Sequence, residues 1–108
     1  MVTAATVLEV TAERGTTLTA AELLAVSADP IRWTLLNKLA TGGSCVCNLQ
    51  EHVPIAANLL SYHLKVLREA GLVTASRRGR WIDYALAPDA LDRLHAALPG
   101  VVAAGPVP

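Results

Sequence analysis

The sequence predicts a mainly α fold that carries one two-stranded β-hairpin, with about five helices in a single domain. Three observations lead there. Around Asn58 to Leu67, the residues Leu59, Leu60, His63, Leu64, Val66 and Leu67 recur at spacings of three and four, which marks one broad apolar face of a helix. Asn58, Ser61, Tyr62, Lys65 and Arg68 fall on the other face. Past Gly71, a residue suited to the positive φ of a helix stop, the period changes to two. Val73, Ala75 and Arg77 alternate with Thr74 and Ser76, and Ile82, Tyr84 and Leu86 alternate with Trp81, Asp83 and Ala85. Two such runs around Arg78-Gly79-Arg80 read as a hairpin with a basic tip. Finally, 108 residues suffice for one modest core. At 53% hydrophobic residues and no Phe, that core must be built mainly from Leu, Val, Ile and Ala.

Taken in order, residues 1–17 are rich in Thr, Ala and Val, with Gly15 among them. Their pattern is too weak for a firm element, and a flexible arm is expected, with room for a short helix or strand around Val7–Val10. A domain of residues 18–98 follows. Its first helix starts after Thr19, which can form a capping box with Glu22; Ala21, Leu24 and Ala25 are its expected inner stripe. Asp29 caps a second helix with Pro30 in the first turn, where a missing N–H costs least. Ile31, Leu35, Leu36 and Leu39 form its buried face, Trp33 is read as core in preference to a dimer contact, and Gly42-Gly43 ends it. Ser44 is the expected cap of a short third helix from Cys45 to about His52, with Leu49 inward. Val53-Pro54 breaks that helix, because proline disfavours the helical conformation in the residue before it. The next helix begins at about Ala57, and the two together make a helix-turn-helix. After the hairpin, Pro88 or Asp89 opens a last helix with Ala90, Leu91, Leu94 and Leu98 on one face, stopped by Pro99-Gly100. Residues 99–108 have no charge and no pattern, so a disordered tail is expected.

The formal net charge is zero, which argues against a protein that coats nucleic acid indiscriminately. The charge is nevertheless uneven. Five of the nine Lys and Arg residues (Lys65, Arg68, Arg77, Arg78 and Arg80) lie between positions 61 and 80, against one acid, Glu69. Such a local basic footprint suits a site-specific binder of double-stranded DNA, with a helix in a groove and the hairpin on a phosphate backbone.

Ser61-x-His63-Leu64-Lys65-Val66-Leu67-Arg68-Glu69-Ala70-Gly71-Leu72-Val73, followed by Arg78-Gly79-Arg80-Trp81-x-x-Tyr84, resembles the recognition helix and wing of the ArsR/SmtB family. The similarity extends upstream through Ala28-Asp29-Pro30-Ile31-Arg32 to Cys45-Val46-Cys47-Asn48-Leu49, covering roughly residues 20 to 98. Members are winged helix-turn-helix, usually homodimeric, metal-responsive bacterial regulators. The resemblance therefore implies a repressor whose operator binding is modulated by an inducer, with the first and last helices forming the dimer interface. DNA contacts are expected from Asn58, Ser61, Tyr62, Lys65, Arg68, Arg77, Arg78 and Arg80. The family usually starts its recognition helix with Ser-Gln-Ser/Thr or similar, whereas this chain has Ala56 and Ala57. That departure removes a cap worth roughly 1 kcal/mol and two base contacts. His63, set among apolar residues, is expected to be packed and hydrogen-bonded rather than to act as a ligand.

Cys45 and Cys47 match the family's Cys-Val-Cys ligand pair. Soft thiolates favour arsenite, cadmium, lead, zinc or copper(I) over hard cations. Two thiols are one short of the three that arsenite takes and two short of tetrahedral zinc. Position 50, where other members place a further cysteine, is Gln50, and the chain has no other cysteine. His52 or a second subunit would have to complete the set. Read without the resemblance, the pair serves equally well as two small buried side chains, and residues this close are not expected to form a disulfide with each other. The family's other sensing site, across the last helices, has only Asp92 and His95 as candidates here. No His or Glu follows His95, so a complete zinc or nickel site of that type is not encoded, and both residues are expected at the surface.

An enzyme is not expected, since the chain lacks a phosphate-binding glycine loop, a nucleophile elbow and a spaced acid pair. A regulator that senses, for example, nickel through a metal-sensing partner protein is the main alternative. A thiol redox protein using Cys45, or a protein-interaction module that has lost its DNA contacts, ranks lower. With no apolar stretch of membrane-spanning length and no secretory-type N-terminus, a cytoplasmic location is expected.

Overall fold

Side-chain caps set the first two helices. The computed structural model describes residues 18–100, and the expected N-terminal arm and the tail from residue 101 lie outside the described residues. Helix α1 (Ala20–Ala28) opens on the capping box expected from Thr19 and Glu22. The Glu22 amide donates to Thr19 Oγ1 at 3.1 Å, and the Thr19 amide donates to Glu22 Oε1 at 2.9 Å. Asp29 ends α1 and caps α2 (Pro30–Ala40), with its Oδ1 accepting from the amides of Ile31 at 2.8 Å and Arg32 at 3.1 Å.

Burial pushes the Asp29 carboxyl up, but the two amide donors and the charge of Arg32 outweigh it and hold it below the ordinary carboxylate value. A lowered folded-state pKa stabilises the fold fully above the unfolded-state value, and that stabilisation is lost as pH falls through the folded one. Asp29→Ala is expected to cost about 1 kcal/mol in urea unfolding at neutral pH. Asp29→Asn should keep most of the cap. Both should flatten the decline of stability below about pH 4, and an unchanged acid limb would refute the assignment.

The chain continues as β1 (Ser44–Cys45), α3 (Val46–His52), α4 (Ala57–Glu69), β2 (Val73–Arg78), β3 (Trp81–Leu86) and α5 (Ala90–Ala97). Helices α3 and α4 with the Val53-Pro54 break form the helix-turn-helix. Leu35, Leu49, Leu60, Leu64, Leu67 and Leu72 are fully buried, so leucines from α2, α3 and α4 make the centre of the core. Helix α4 stops as the glycine signal predicts. Gly71 has φ of 77°, its amide donates to Arg68 O at 2.9 Å, and the next amide, Leu72, reaches back to Leu67 O at 3.0 Å. The hairpin pairs Val73 with Leu86 through Arg78 with Trp81, leaving Gly79-Arg80 as the turn, with Gly79 at φ of 63°.

The structure corrects several expectations. The inner residues of α1 are Leu23 and Ser27; Ala21 and Ala25 are exposed, and Leu24 is half-buried on the flank. Adjacent leucines at 23 and 24 sit about 100° apart on the helix, and the core takes the first. Trp33 is not in the core but 57% exposed, and Leu59 is 42% exposed at the start of α4, on the edge of the apolar stripe. In the last helix Ala90 is buried and Leu94 packs against the core, whereas Leu91 and the cap residue Leu98, expected at a subunit contact, are exposed. Finally, Ser44 does not cap α3. It pairs with Tyr84, and Cys45 is the cap residue. Strand β1 is a third strand at the edge of β3, giving the order β1-β3-β2. The approach is close: a Cβ on Gly43 would lie 3.2 Å from Tyr84 O.

Candidate nucleic-acid interface and thiol pair

The α4 stripe of Leu60, His63, Leu64 and Leu67 is buried, so its opposite face is turned to solvent. Asn58, Ser61, Tyr62, Lys65 and Arg68 are all exposed there. The Lys65 ammonium lies 3.9 Å from Glu69 Oε2, an exposed i,i+4 pair of little energetic weight. Ala56 supplies no side-chain cap to α4, as its sequence implies.

On the wing, Arg77 donates to Gly79 O at 3.5 Å. Arg78 is differently placed. Its guanidinium makes a bidentate contact with Asp83 across the hairpin, Nε to Oδ2 at 2.7 Å and Nη2 to Oδ1 at 3.1 Å. The hydrogen bonds to the Arg78 guanidinium hold the Asp83 carboxyl below its usual value. Arg80, in the turn, has no carboxylate partner among the described residues. The basic tip predicted from sequence thus consists of one restrained arginine and one that is exposed without an ion pair.

This geometry makes a graded prediction. Arg80→Ala should weaken specific and nonspecific DNA alike and make the salt slope shallower by roughly one unit. Arg78→Ala should do less, because Arg78 must leave Asp83 to reach a phosphate. Asp83→Asn should strengthen binding at low salt. Titrations at several salt concentrations check this, and an unchanged slope in the double arginine variant would show that the wing faces away from DNA.

Cys45 and Cys47 sit where β1 turns into α3. Their sulfurs are in bonding contact as a disulfide, with Cα atoms 5.4 Å apart. The expectation that they would not pair is therefore corrected. Along an extended strand, residues two apart lie at about 6.6 Å; the helical turn entered at Val46 shortens the separation to 5.4 Å, close to the commonest disulfide spacing. Neither residue is fully buried, since Cys45 is half-buried and Cys47 exposed. Cys45 Sγ also accepts from the Asn48 amide at 3.4 Å, acting as the cap of α3.

His52, at the far end of α3, is exposed, and no group of three or more His, Cys, Asp or Glu among the described residues could hold a metal ion. Asp92 and His95 are exposed on α5, as expected. They border an apolar groove of about 580 Å³ lined by Leu24, Trp33, Leu91 and Leu98.

Two functional neighbours were not foreseen from sequence. Asp83 lies cross-strand from Cys45 in β1 and from Ser76 in β2, so one residue touches the thiol segment and the wing arginine. A two-residue strand is too short to show alternation, so nothing in the sequence announced it. Arg32 contacts His63, whose burial in an apolar stripe was the available signal that a polar partner must exist.

A helix-turn-helix with a polar outer face, followed by a basic antiparallel hairpin, defines a winged helix-turn-helix DNA-binding protein. Comparison with known proteins gives the family. The model of bacterial regulatory proteins of the arsR family matches residues 29–75. The Mycobacterium tuberculosis transcriptional repressor SmtB is 38% identical over 86 residues, covering 80% of this chain and 62% of that protein. The arsenical resistance operon repressor of Staphylococcus xylosus is 36% identical over 76 residues, covering 70% of this chain and 73% of the relative. The crystal structure of a possible transcriptional regulator for arsenical resistance superposes with a TM-score of 0.65 at 43% identity, over 68% of this chain and 77% of the other. The chain belongs to the ArsR family: it is a DNA-binding transcription regulator and not an enzyme. No helix among the described residues is long and apolar enough to cross a membrane.

Proposed function

We propose that this protein is a homodimeric, cytoplasmic repressor whose hold on its operator is released by a thiophilic ion or metalloid taken up at Cys45 and Cys47 in their reduced state. The observation that carries the reading is the convergence of the two sulfurs at the start of the first helix of the helix-turn-helix, on a strand paired with the wing. Relatives that act in arsenical resistance support an inducer of soft character. The donor set fits an ion that accepts two thiolates and completes its coordination with solvent or with a donor from the second subunit. It does not fit a closed four-ligand zinc site.

When bound, such an ion would supply strong bonds to sulfur. The remaining work falls to the chain. Cys45 is at once the cap of α3 and the strand partner of Asp83, and Asp83 holds Arg78. A shift of Cys45 therefore acts on the seating of α3 against α4 and on the arginine available to the phosphate backbone. The dimer is supported by the apolar groove beside α5, too exposed for a lone chain. The direct test is to titrate the reduced protein with arsenite, and separately with cadmium, while following its release from its own promoter. Failure of both to release it would reject the inducer class.

A further inference from the structure

We infer that Arg32 is a positioning residue for the recognition helix, fixing through His63 the rotation at which α4 presents its outer face to DNA. Arg32 stands in the first turn of α2, where the Asp29 cap holds its amide. Its side chain reaches in two directions. Nε donates to Val26 O at 2.6 Å, near the end of α1, and Nη1 lies 3.0 Å from His63 Nδ1, in the middle of α4. One guanidinium thereby ties three helices together.

The chemistry of the contact fixes its polarity. Arginine has only donors, so Nδ1 carries the lone pair and the ring proton of a neutral His63 sits on Nε2. The imidazole is 6% exposed, so its acceptor has little access to water, and loss of Arg32 would leave that acceptor unsatisfied.

A directional bond is needed because the rest of the α4 interface is not directional. Leu60, Leu64 and Leu67 bury an apolar stripe, and apolar contact tolerates small rolls of the helix. Side-chain tips about 6 Å from the axis move by roughly 2 Å for a roll of about 20°. That displacement is enough to break hydrogen bonds from Ser61, Tyr62 or Lys65 to base edges, whereas phosphate attraction would survive it. His63 adjoins Tyr62 and lies two residues from Ser61 and Lys65, so the anchor sits at the level of the reading residues. Lysine cannot serve as well, since a single ammonium does not offer two N–H groups at the fixed angle of a guanidinium.

The inference rests on α4 being the helix that reads the operator. It is tested with the full chain, comparing the ratio of operator to nonspecific DNA affinity with unfolding in urea. His63→Asn places an amide oxygen near the position of Nδ1 and should retain the ratio. Arg32→Met and His63→Leu keep apolar bulk without the bond and should lower the ratio by roughly tenfold, with nonspecific affinity and its salt slope little changed. An unchanged ratio in both apolar variants would overturn the inference.

A measurement on the unaltered protein guards against variants that do not fold. Nitrogen NMR of the His63 ring should show the Nε2–H tautomer with Nδ1 accepting a hydrogen bond, and an Nδ1–H tautomer would overturn the assignment equally. If the unaltered protein showed no preference for its operator over other DNA, the reading of α4 itself would fail.

Discussion

A protein carrying Leu91→Glu is expected to remain folded, sediment as a monomer and lose operator affinity by roughly two to four orders of magnitude. Leu91 is 59% exposed, and with Trp33 and Leu98 it faces the groove between α5 and the flank of α1 and α2. Its removal therefore costs the isolated fold little, while a carboxylate there would be desolvated against a second copy. An operator of two half-sites is bound tightly because the second contact is intramolecular once the first has formed; a monomer loses that advantage. The site of substitution matters. Leu94 points partly into the core, so a charge there would confuse unfolding with dissociation. Sedimentation velocity at micromolar concentration, with binding to one-half-site and two-half-site DNA, reads the outcome. A Leu91→Glu dimer with full operator affinity would place the subunit contact elsewhere.

The second large effect is on induction. For the reduced wild-type protein, a saturating thiophilic ion should weaken operator binding by roughly 5- to 150-fold, the usual range of coupling between two sites. By the same linkage, operator DNA should weaken ion binding by an equal factor. Because the ligands are thiolates, ion uptake should release protons and weaken as pH falls. In Cys45→Ser/Cys47→Ser the coupling should vanish while DNA affinity and stability stay near wild type. Serine at position 45 is a better helix cap than cysteine, and Cys47 is exposed, so neither change opens a hole. A double-serine protein that still leaves its operator at the wild-type ion concentration would show that the pair is not the sensor.

The parts of this structure that could be read in advance are those in which one physical rule acts alone. The stripe of Leu60, His63, Leu64 and Leu67 and the stop at Gly71 were legible because period and φ leave few alternatives. The hairpin was legible from alternation and a glycine turn. Misreadings came where two surfaces compete for the same side chains. Leu23 and Leu24 are equally apolar, and the sequence does not say which faces the core and which the groove. Trp33 was open to the same ambiguity, since an apolar side chain at the rim of a groove looks like a core residue when only the sequence is read. The residues expected to contact DNA are exposed, as the helical period implies, but the Asp83 restraint on Arg78 depends on strand register, which residue types alone do not give.

The two-residue strand β1 has a consequence for modularity. A sheet residue changes face with every single-residue shift, so one residue inserted between Ser44 and Cys45 would turn Cys45 away from Asp83 while barely changing the composition of the segment. On the proposed reading of Cys45 and Cys47 as the inducer site, the pair is thus not a portable cassette. Grafted into another winged helix as the tripeptide Cys-Val-Cys alone, it would still take up a soft ion but would have no mechanical purchase on the hairpin. Moved together with Gly43, Ser44 and a facing aspartate on β3, it would carry its signalling with it.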